Sequence, residues 1–115
     1  MIFRRNEMEE EKKVAMRGGS GTCLMTYLGG RNLQKHCRLF SELVIPPGAS
    51  IGEHEHSAET EYYLILEGEG IVVDDGVPTK VNPGDVVATT GGAKHSIEAV
   101  GASALRLVAV IVTDA

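Results

Sequence analysis

Residues 47–70 read PGASIGEHEHSAETEYYLILEGEG, and this stretch decides the fold class and the chemistry of the chain. His54 and His56 stand two residues apart within it. In an extended strand this spacing sends both imidazoles to the same face, about 6–7 Å apart along the strand. Glu61 lies five residues beyond His56, after a short polar turn. If the turn reverses the chain, the Glu61 carboxylate faces the same histidine pair from the neighbouring strand.

The rest of the chain consists of short apolar segments between turns rich in Gly, Pro and Asp. No segment after residue 14 has a sustained apolar period of 3.6 residues, so the β-branched and aliphatic segments predict strands. The predicted strands are 23–28, 36–45, 50–55, 61–67, 70–73, 79–81, 86–90, 94–100 and 105–112. Many short strands predict an all-β sandwich or barrel. Segment 7–16 is left open between a helical turn or two and an extended arm.

The histidines indicate a metal site. His95, beside a Gly-Gly turn, is placed to supply a fourth ligand from across a barrel. Three imidazoles and a carboxylate suit one divalent transition metal, either Mn, Fe, Co, Ni, Cu or Zn. Four protein ligands in an octahedral site leave two positions for water, dioxygen or a bidentate substrate. Glu59 competes for the carboxylate role but is expected to lie in the turn, so Glu61 is favoured. His36 has no motif partner and is interpreted as a polar strand residue.

A longer spacing pattern surrounds these candidates. Gly48, five residues, His54-x-His56, four residues, Glu61, six residues and Gly68 together match in full the first conserved motif of the cupin superfamily. The segment therefore resembles the opening of a cupin domain.

The second half of the chain continues the resemblance. Pro83-Gly84-Asp85 resembles the turn that enters the second cupin motif, and Gly92-x-x-His95 resembles its continuation. Thr90 and Ala99 stand where that motif often has Pro and Asn, and neither position is a metal ligand in the family. The departures weaken assignment to a particular subfamily and leave the four-ligand set intact.

The resemblance covers roughly residues 40–112 and implies a double-stranded β-helix, the RmlC-like jelly-roll barrel of cupins, which is commonly a homodimer. It also implies that the metal ligands are His54, His56, Glu61 and His95. The predicted organisation is an N-terminal arm over residues 1–20, partly flexible, followed by a single cupin barrel over residues 21–115.

Strand alternation predicts which side chains share the ligand cavity. Tyr63 and Ile65 are expected on the Glu61 face, and Ile97 on the His95 face. Tyr63 is the candidate for contact with a substrate, as a hydrogen-bond donor or as cavity wall. Oxalate decarboxylases carry an Arg three residues before the first His of the motif, where this chain has Ile51. A cavity lined by Ile51, Ile65 and Tyr63 suits a partly apolar substrate better than a dianion.

Two arginines leave a second route to anion binding open. Arg38 or Arg106 anchors an anionic substrate if its strand parity is inward, whereas an exposed or interface position is the commoner situation for arginine.

Composition excludes several classes of function. The net charge of −5 and the pI near 5.3 argue against a nucleic-acid-binding protein, because phosphate binding needs a basic face. No segment resembles a signal peptide, and the longest apolar run, 107–112, is too short to span a membrane. The chain is therefore predicted to be cytoplasmic, without membrane contact, and its two cysteines, Cys23 and Cys37, to be reduced.

Three functions remain open at this point. The first is a metal-dependent enzyme acting on a small oxygen-containing substrate, of the dioxygenase, decarboxylase or isomerase type. The second is a non-catalytic barrel that binds or senses a small molecule. The third is a metal-binding fold whose dimer is the functional object, with the N-terminal arm exchanged between subunits.

Overall fold

The computed structural model describes residues 1–115 and contains ten strands. They are β1 (Glu10–Val14), β2 (Thr22–Tyr27), β3 (Cys37–Ile45), β4 (Ser50–Glu55), β5 (Glu59–Glu67), β6 (Glu69–Asp74), β7 (Val77–Val81), β8 (Val86–Thr89), β9 (Lys94–Val100) and β10 (Leu105–Thr113). The helical elements are two short 3-10 turns, Arg5–Glu7 and Met16–Gly18. The predicted all-β class is confirmed.

The strands form two antiparallel sheets. The larger sheet has the order β1-β2-β3-β10-β5-β8, and the smaller has the order β4-β9-β6-β7. From β3 onward the chain passes repeatedly between the two sheets, so most neighbouring strands are distant in sequence, and only β6 and β7 form a hairpin. This winding is the jelly-roll topology that the resemblance implied.

Alternation along each strand fills the space between the sheets. On β10 the buried positions are Leu105, Leu107, Ala109 and Ile111, every second residue. The buried set is mostly aliphatic, as expected for a chain without Trp. Three titratable side chains of the predicted site, His56, Glu61 and His95, are buried as well.

The predicted strand boundaries agree closely with the structure, with two informative differences. The open segment 7–16 forms strand β1 over Glu10–Val14, whose charged residues pair with β2 at the sheet edge. His36 is not a strand residue. It lies in the turn before β3 with a φ of 73°, and its exposed side chain has no role in the barrel interior.

The N-terminal residues contact the barrel at two places. β1 pairs with β2 from Glu10 opposite Thr26 to Val14 opposite Thr22. Before it, the Arg5 guanidinium forms an ion pair of 2.7 Å with Glu42 of β3. The division into an arm over residues 1–20 and a barrel over residues 21–115 stays a prediction. No helix in the chain is both long and apolar enough to traverse a bilayer.

Candidate metal centre

A β-bulge in β4 sets the direction of the first histidine. Ile51 pairs with Ile97 and His54 pairs with His95, so three steps along β4 correspond to two steps along β9. The extra residue turns both Ile51 and His54 inward, although odd spacing would send them to opposite faces in a regular strand. His54 therefore faces His95 directly across the smaller sheet.

Two further ligand candidates, His56 and Glu61, come from the end of β4 and from β5. His56 follows the end of β4, where its N–H donates to Ala93 O at 3.2 Å and its carbonyl accepts from Gly92 N at 3.0 Å. Glu61 lies on β5 of the larger sheet, opposite Thr89 of β8. The two sheets thus contribute ligands from facing walls of the barrel.

Four side-chain atoms converge at this point. His95 Nε2 lies 3.0 Å from His54 Nε2 and 3.0 Å from His56 Nε2. Glu61 Oε1 lies 2.9 Å from His56 Nε2, 3.0 Å from His95 Nε2 and 3.8 Å from His54 Nε2. Atoms bound to one cation at about 2.1 Å and at right angles to each other are about 3.0 Å apart. The separations therefore fit a shared divalent cation.

The hydrogen-bond partner of each histidine Nδ1 indicates which ring nitrogen carries the proton. His54 Nδ1 lies 2.7 Å from the Gly52 carbonyl oxygen, and His56 Nδ1 lies 2.6 Å from the Glu59 carboxylate. Both partners are acceptors, so each Nδ1 donates and each Nε2 presents a lone pair to the cluster. His95 Nδ1 has the Thr89 hydroxyl at 2.7 Å. Such outer partners are typical of metal-ligating histidines.

Glu61 completes the cluster as an ionised group. Burial acts to raise its pKa, but the imidazoles of His54, His95 and His56 outweigh burial and lower the pKa to about 2. At the same time Glu61 Oε1 is buried without an aligned hydrogen-bond donor. The Nε2 lone pairs of His54 and His56 cannot neutralise this buried carboxylate oxygen. Imidazole protons do so when they lower its pKa, and a divalent cation can take their place.

A cavity of about 450 Å³ opens beside the cluster, and its wall is partly apolar. Met25, Leu39 and Leu43 provide apolar surface, whereas the predicted Ile51 and Ile65 are absent from the lining. They point inward as expected but are 0% and 1% exposed within the core, as is Ile97 at 1%. The prediction that these three line the cavity is wrong, because the barrel interior is wide enough for inward residues to pack in the core away from the cavity.

The cavity wall also carries four basic side chains, which the sequence did not predict to lie together. Its basic residues are Lys12, Lys13, Arg17 and Arg38. Arg106, the other arginine considered as an anchor, bonds Glu42 and Glu67 instead and is not part of the wall. The N-terminal residues of the set were missed because they lie outside the recognisable motifs.

Tyr63 and Glu59 hold positions around the cluster. Tyr63 lines the cavity, and its ring stacks on His95 with 5.0 Å between centroids. Burial and the Glu61 charge raise the pKa of Tyr63 well above 10, so its phenol stays protonated at neutral pH. Glu59 is the first residue of β5 rather than a turn residue, and Arg38 binds it through two hydrogen bonds of 2.8 and 2.9 Å. Glu59 binds His56 at Nδ1, on the side of the ring away from the ligand cluster.

The fold and these residues define a jelly-roll barrel with a His₃Glu cluster able to hold a metal ion. The family model described as Cupin domain matches residues 41–111, and the chain belongs to the cupin family. The structure brings together all four residues that the sequence predicted as ligands. Metal binding itself stays a prediction.

Several similar proteins cover nearly the whole chain. A protein of Thermotoga maritima called oxalate-binding protein is 40% identical over 113 residues, which is 97% of this chain and 93% of the relative. A crystal structure from the same organism, titled a predicted oxalate decarboxylase, superimposes with a TM-score of 0.90 at 40% identity, covering 98% and 99% of the two chains. A putative sugar phosphate isomerase from Acidithiobacillus ferrooxidans gives a TM-score of 0.78 at 25% identity, covering 93% of this chain and 69% of the other.

Proposed function

We propose that His54, His56, Glu61 and His95 bind one divalent transition metal and that the adjoining cavity binds a small carboxylate at it. The observation that carries the proposal is the convergence of three imidazole Nε2 atoms and a buried carboxylate oxygen without an aligned donor on one point. Neutral donor atoms and a single negative charge leave a bound divalent ion with net positive charge. Together with the basic wall, this favours an anionic ligand.

The bound ion supplies a Lewis acid at the end of the cavity. The protein's own residues orient the histidines and exclude water from the cavity. Gly52 O and Glu59 orient His54 and His56, and the apolar wall of Met25, Leu39 and Leu43 excludes water from a ligand. The protonated Tyr63 hydroxyl is a donor at the Glu61 side of the site.

The names of the similar proteins support the ligand class. One relative is called an oxalate-binding protein, and one similar structure is titled a predicted oxalate decarboxylase. The argument against a dianion from Ile51 loses its basis, because Ile51 is not in the cavity wall and basic residues are. Oxalate is therefore the first ligand to test.

The first experiment measures metal content by elemental analysis of protein purified without chelator. We expect about one transition-metal ion per chain in the wild type and less than a tenth of that in His56→Ala. His36→Asn is the matched control, because His36 is an exposed histidine outside the cluster at a positive φ that Asn tolerates. Full metal content in His56→Ala contradicts the proposed site.

The second experiment titrates oxalate into metal-loaded and metal-stripped wild type by calorimetry. We expect saturable binding with one site per chain in the loaded protein and at least about a tenfold weaker response in the stripped protein. Equal binding by both forms contradicts ligand binding at the metal. Absence of binding to loaded protein contradicts the ligand class.

Turnover of the bound carboxylate is a second candidate function. It is favoured by the position of Tyr63, a protonated hydroxyl held in the same cavity as the ligand cluster. Formate and carbon dioxide produced from oxalate, or oxygen uptake with other small acids, distinguishes an enzyme from a binding protein. An enzyme loses this turnover in His56→Ala, whereas a binding protein has none to lose.

We also propose a cytoplasmic homodimer. The outer face of the larger sheet exposes Tyr62, Leu64 and Val86 side by side on β5 and β8, an apolar surface that a second copy can cover. The two free cysteines fit a reducing compartment. Light scattering of the wild type and of Leu64→Glu tests the assembly, with a monomeric wild type as the contrary result.

A further inference from the structure

Arg17 differs from four of the other five arginines, and the fifth, Arg4, does not line this cavity. Arg5, Arg31, Arg38 and Arg106 each form an ion pair with a glutamate at 2.7–3.0 Å. Arg17 forms no ion pair and no side-chain hydrogen bond, yet it lines the same cavity as the histidine cluster. Its guanidinium is therefore a charged group with free donors beside the ligand site.

The backbone holds Arg17 in an unusual conformation. Arg17 has φ 52° and ψ 33°, and Ala15 has φ 48°, both in the left-handed region that costs non-glycine residues free energy. Hydrogen bonds from Gly18 N to Ala15 O and from Gly19 N to Met16 O, both 2.9 Å, close this turn. The conformation is thus fixed by local bonds, and it holds the backbone of Arg17 at the cavity.

Close packing against β4 locates the turn relative to the histidines. A Cβ placed on Gly52 would lie 2.2 Å from Arg17 O, and a Cβ on Gly19 would lie 2.2 Å from Ser50 O. Only glycine fits at either position. Gly52 is also the residue whose carbonyl accepts from His54 Nδ1. One glycine therefore couples the position of Arg17 to the orientation of a cluster histidine.

Hydrogen bonds on the far side of the turn keep it in place. Ser20 N donates to Ser50 Oγ at 2.9 Å, Ser50 N donates to Ser20 O at 2.9 Å, and Ser20 Oγ donates to Gly48 O at 2.9 Å.

The remaining basic residues of the wall are less suited to hold a ligand. Arg38 is engaged by Glu59 in two hydrogen bonds, and Lys13 is paired with Glu11 at 3.1 Å. Lys12 is exposed on the edge strand β1 and offers a point charge on a flexible stem. Arg17 alone combines free planar donors with a fixed backbone.

We propose that Arg17 is the specificity-determining residue of the cavity, binding the far carboxylate of a short dicarboxylate whose near carboxylate lies at the histidine cluster. This inference rests on the proposed function. Guanidinium matches a carboxylate with two parallel N–H···O bonds, so the residue distinguishes a dicarboxylate from a ligand with a neutral far end.

The test compares oxalate with oxamate, which replaces one carboxylate by an amide of nearly the same shape. Both are titrated by calorimetry into metal-loaded wild type, Arg17→Gln, Arg17→Lys and Lys35→Gln, with metal content measured on each sample. Lys35→Gln is the matched control, since it removes one exposed positive charge outside the cavity wall. All substitutions lie at exposed positions, so folding is retained.

For Arg17→Gln we expect oxalate affinity to fall at least about 10-fold and oxamate affinity to change less than about 3-fold, at unchanged metal content. Arg17→Lys keeps the charge but not the planar fork, and its oxalate affinity falls between wild type and Arg17→Gln. Lys35→Gln changes either affinity by less than about 3-fold.

A second readout does not depend on affinity. Because Arg17 is unpaired, phenylglyoxal modifies it faster than Arg38 or Arg106 in peptide mass mapping, and oxalate with metal protects it. Equal loss of oxalate and oxamate affinity in Arg17→Gln, or protection absent while oxalate binds, overturns the role of Arg17 and leaves the metal-dependent binding site standing. If loaded wild type binds neither ligand, the proposed function fails and the role of Arg17 fails with it.

Discussion

Two glutamates flank strand β10 and are almost equally buried, but their surroundings differ. Glu42 of β3 lies opposite Val108 and is 5% exposed, and Glu61 of β5 lies opposite Ile111 and is 4% exposed. Glu42 accepts hydrogen bonds from Arg5 and Arg106 at 2.7–3.3 Å. Glu61 meets three imidazoles and leaves one oxygen without a donor.

The comparison separates a structural charge cluster from a binding site. At Glu42 two guanidinium groups neutralise one carboxylate, so the cluster is complete within the protein. At Glu61 the neighbours are imidazoles rather than guanidinium groups, and their Nε2 atoms are grouped with the carboxylate as donor atoms that could hold a metal ion. Burial and a lowered pKa are common to both glutamates and do not distinguish them.

Matching substitutions at the two glutamates give the largest expected contrast. Glu61→Gln removes the anionic ligand, and we expect the affinity for Zn²⁺ or Co²⁺ to fall at least about 100-fold, equivalent to about 2.7 kcal/mol. Glu42→Gln leaves metal affinity within about 3-fold of the wild type. Competition with a chromophoric chelator measures both affinities, and equal effects of the two substitutions contradict the distinction.

For the free energy of unfolding we expect the opposite order, with the larger loss in Glu42→Gln. Glu42→Gln breaks two charge-assisted contacts, and since both arginines are partly exposed, we expect a loss of about 2 kcal/mol in the free energy of unfolding. In metal-stripped protein Glu61→Gln causes a smaller loss, because the lost attraction to the imidazoles is offset by removal of a buried charge. Urea denaturation of the stripped variants measures both, and a larger loss for Glu61→Gln refutes the comparison.

The hydrogen bond between His56 and Glu59 leads to an intermediate expected effect on metal affinity. Glu59 holds His56 Nδ1 at 2.6 Å without touching the point where the ligand atoms meet. We expect Glu59→Gln to weaken metal affinity about 10-fold, less than Glu61→Gln, because it alters ring orientation and basicity only. The same chelator competition measures this, and Glu55→Gln, an exposed glutamate on β4, serves as the control. A Glu59→Gln effect as large as that of Glu61→Gln makes Glu59 a ligand instead.

The smallest expected effect is on how the free energy of unfolding changes with pH in acid. The hydrogen bond from Arg5 is the main cause that lowers the pKa of Glu42 below its usual 4.5. The native state therefore binds fewer protons there than the unfolded state, and the stability from this glutamate is present above pH 4.5 and lost as pH falls through the lowered pKa. Stability curves of metal-stripped wild type fall more steeply with acid below pH 4.5 than those of Glu42→Gln. Parallel curves contradict the assignment.

The all-β class and the grouping of His54, His56 and Glu61 were predictable from local spacing, whereas the jelly-roll topology and the role of His95 were implied by the resemblance to cupins. His54, His56 and Glu61 occur with the turn glycines Gly48 and Gly68 within one short segment, and turn residues mark most strand ends. The bulge in β4 preserved the inward direction of the histidines without changing their spacing.

The parts that the sequence did not predict depend on contacts between distant segments. Arg17 reaches the cavity because Gly52 and Gly19 allow two backbones to touch, which no periodicity reports. Thr89 meets His95 across the sheets, and Glu59 extends β5 because Arg38 binds it. Ile51 has the predicted inward direction, but direction alone does not separate core from cavity wall.

The most direct test of the cluster at Glu61 is anomalous diffraction from crystals of the chain grown with Co²⁺ or Mn²⁺, recorded at the absorption edge of the metal. The account predicts one strong peak per chain, about 2.0–2.2 Å from His54 Nε2, His56 Nε2, His95 Nε2 and a Glu61 oxygen. A peak at other residues, or none among these four at saturating metal, contradicts it.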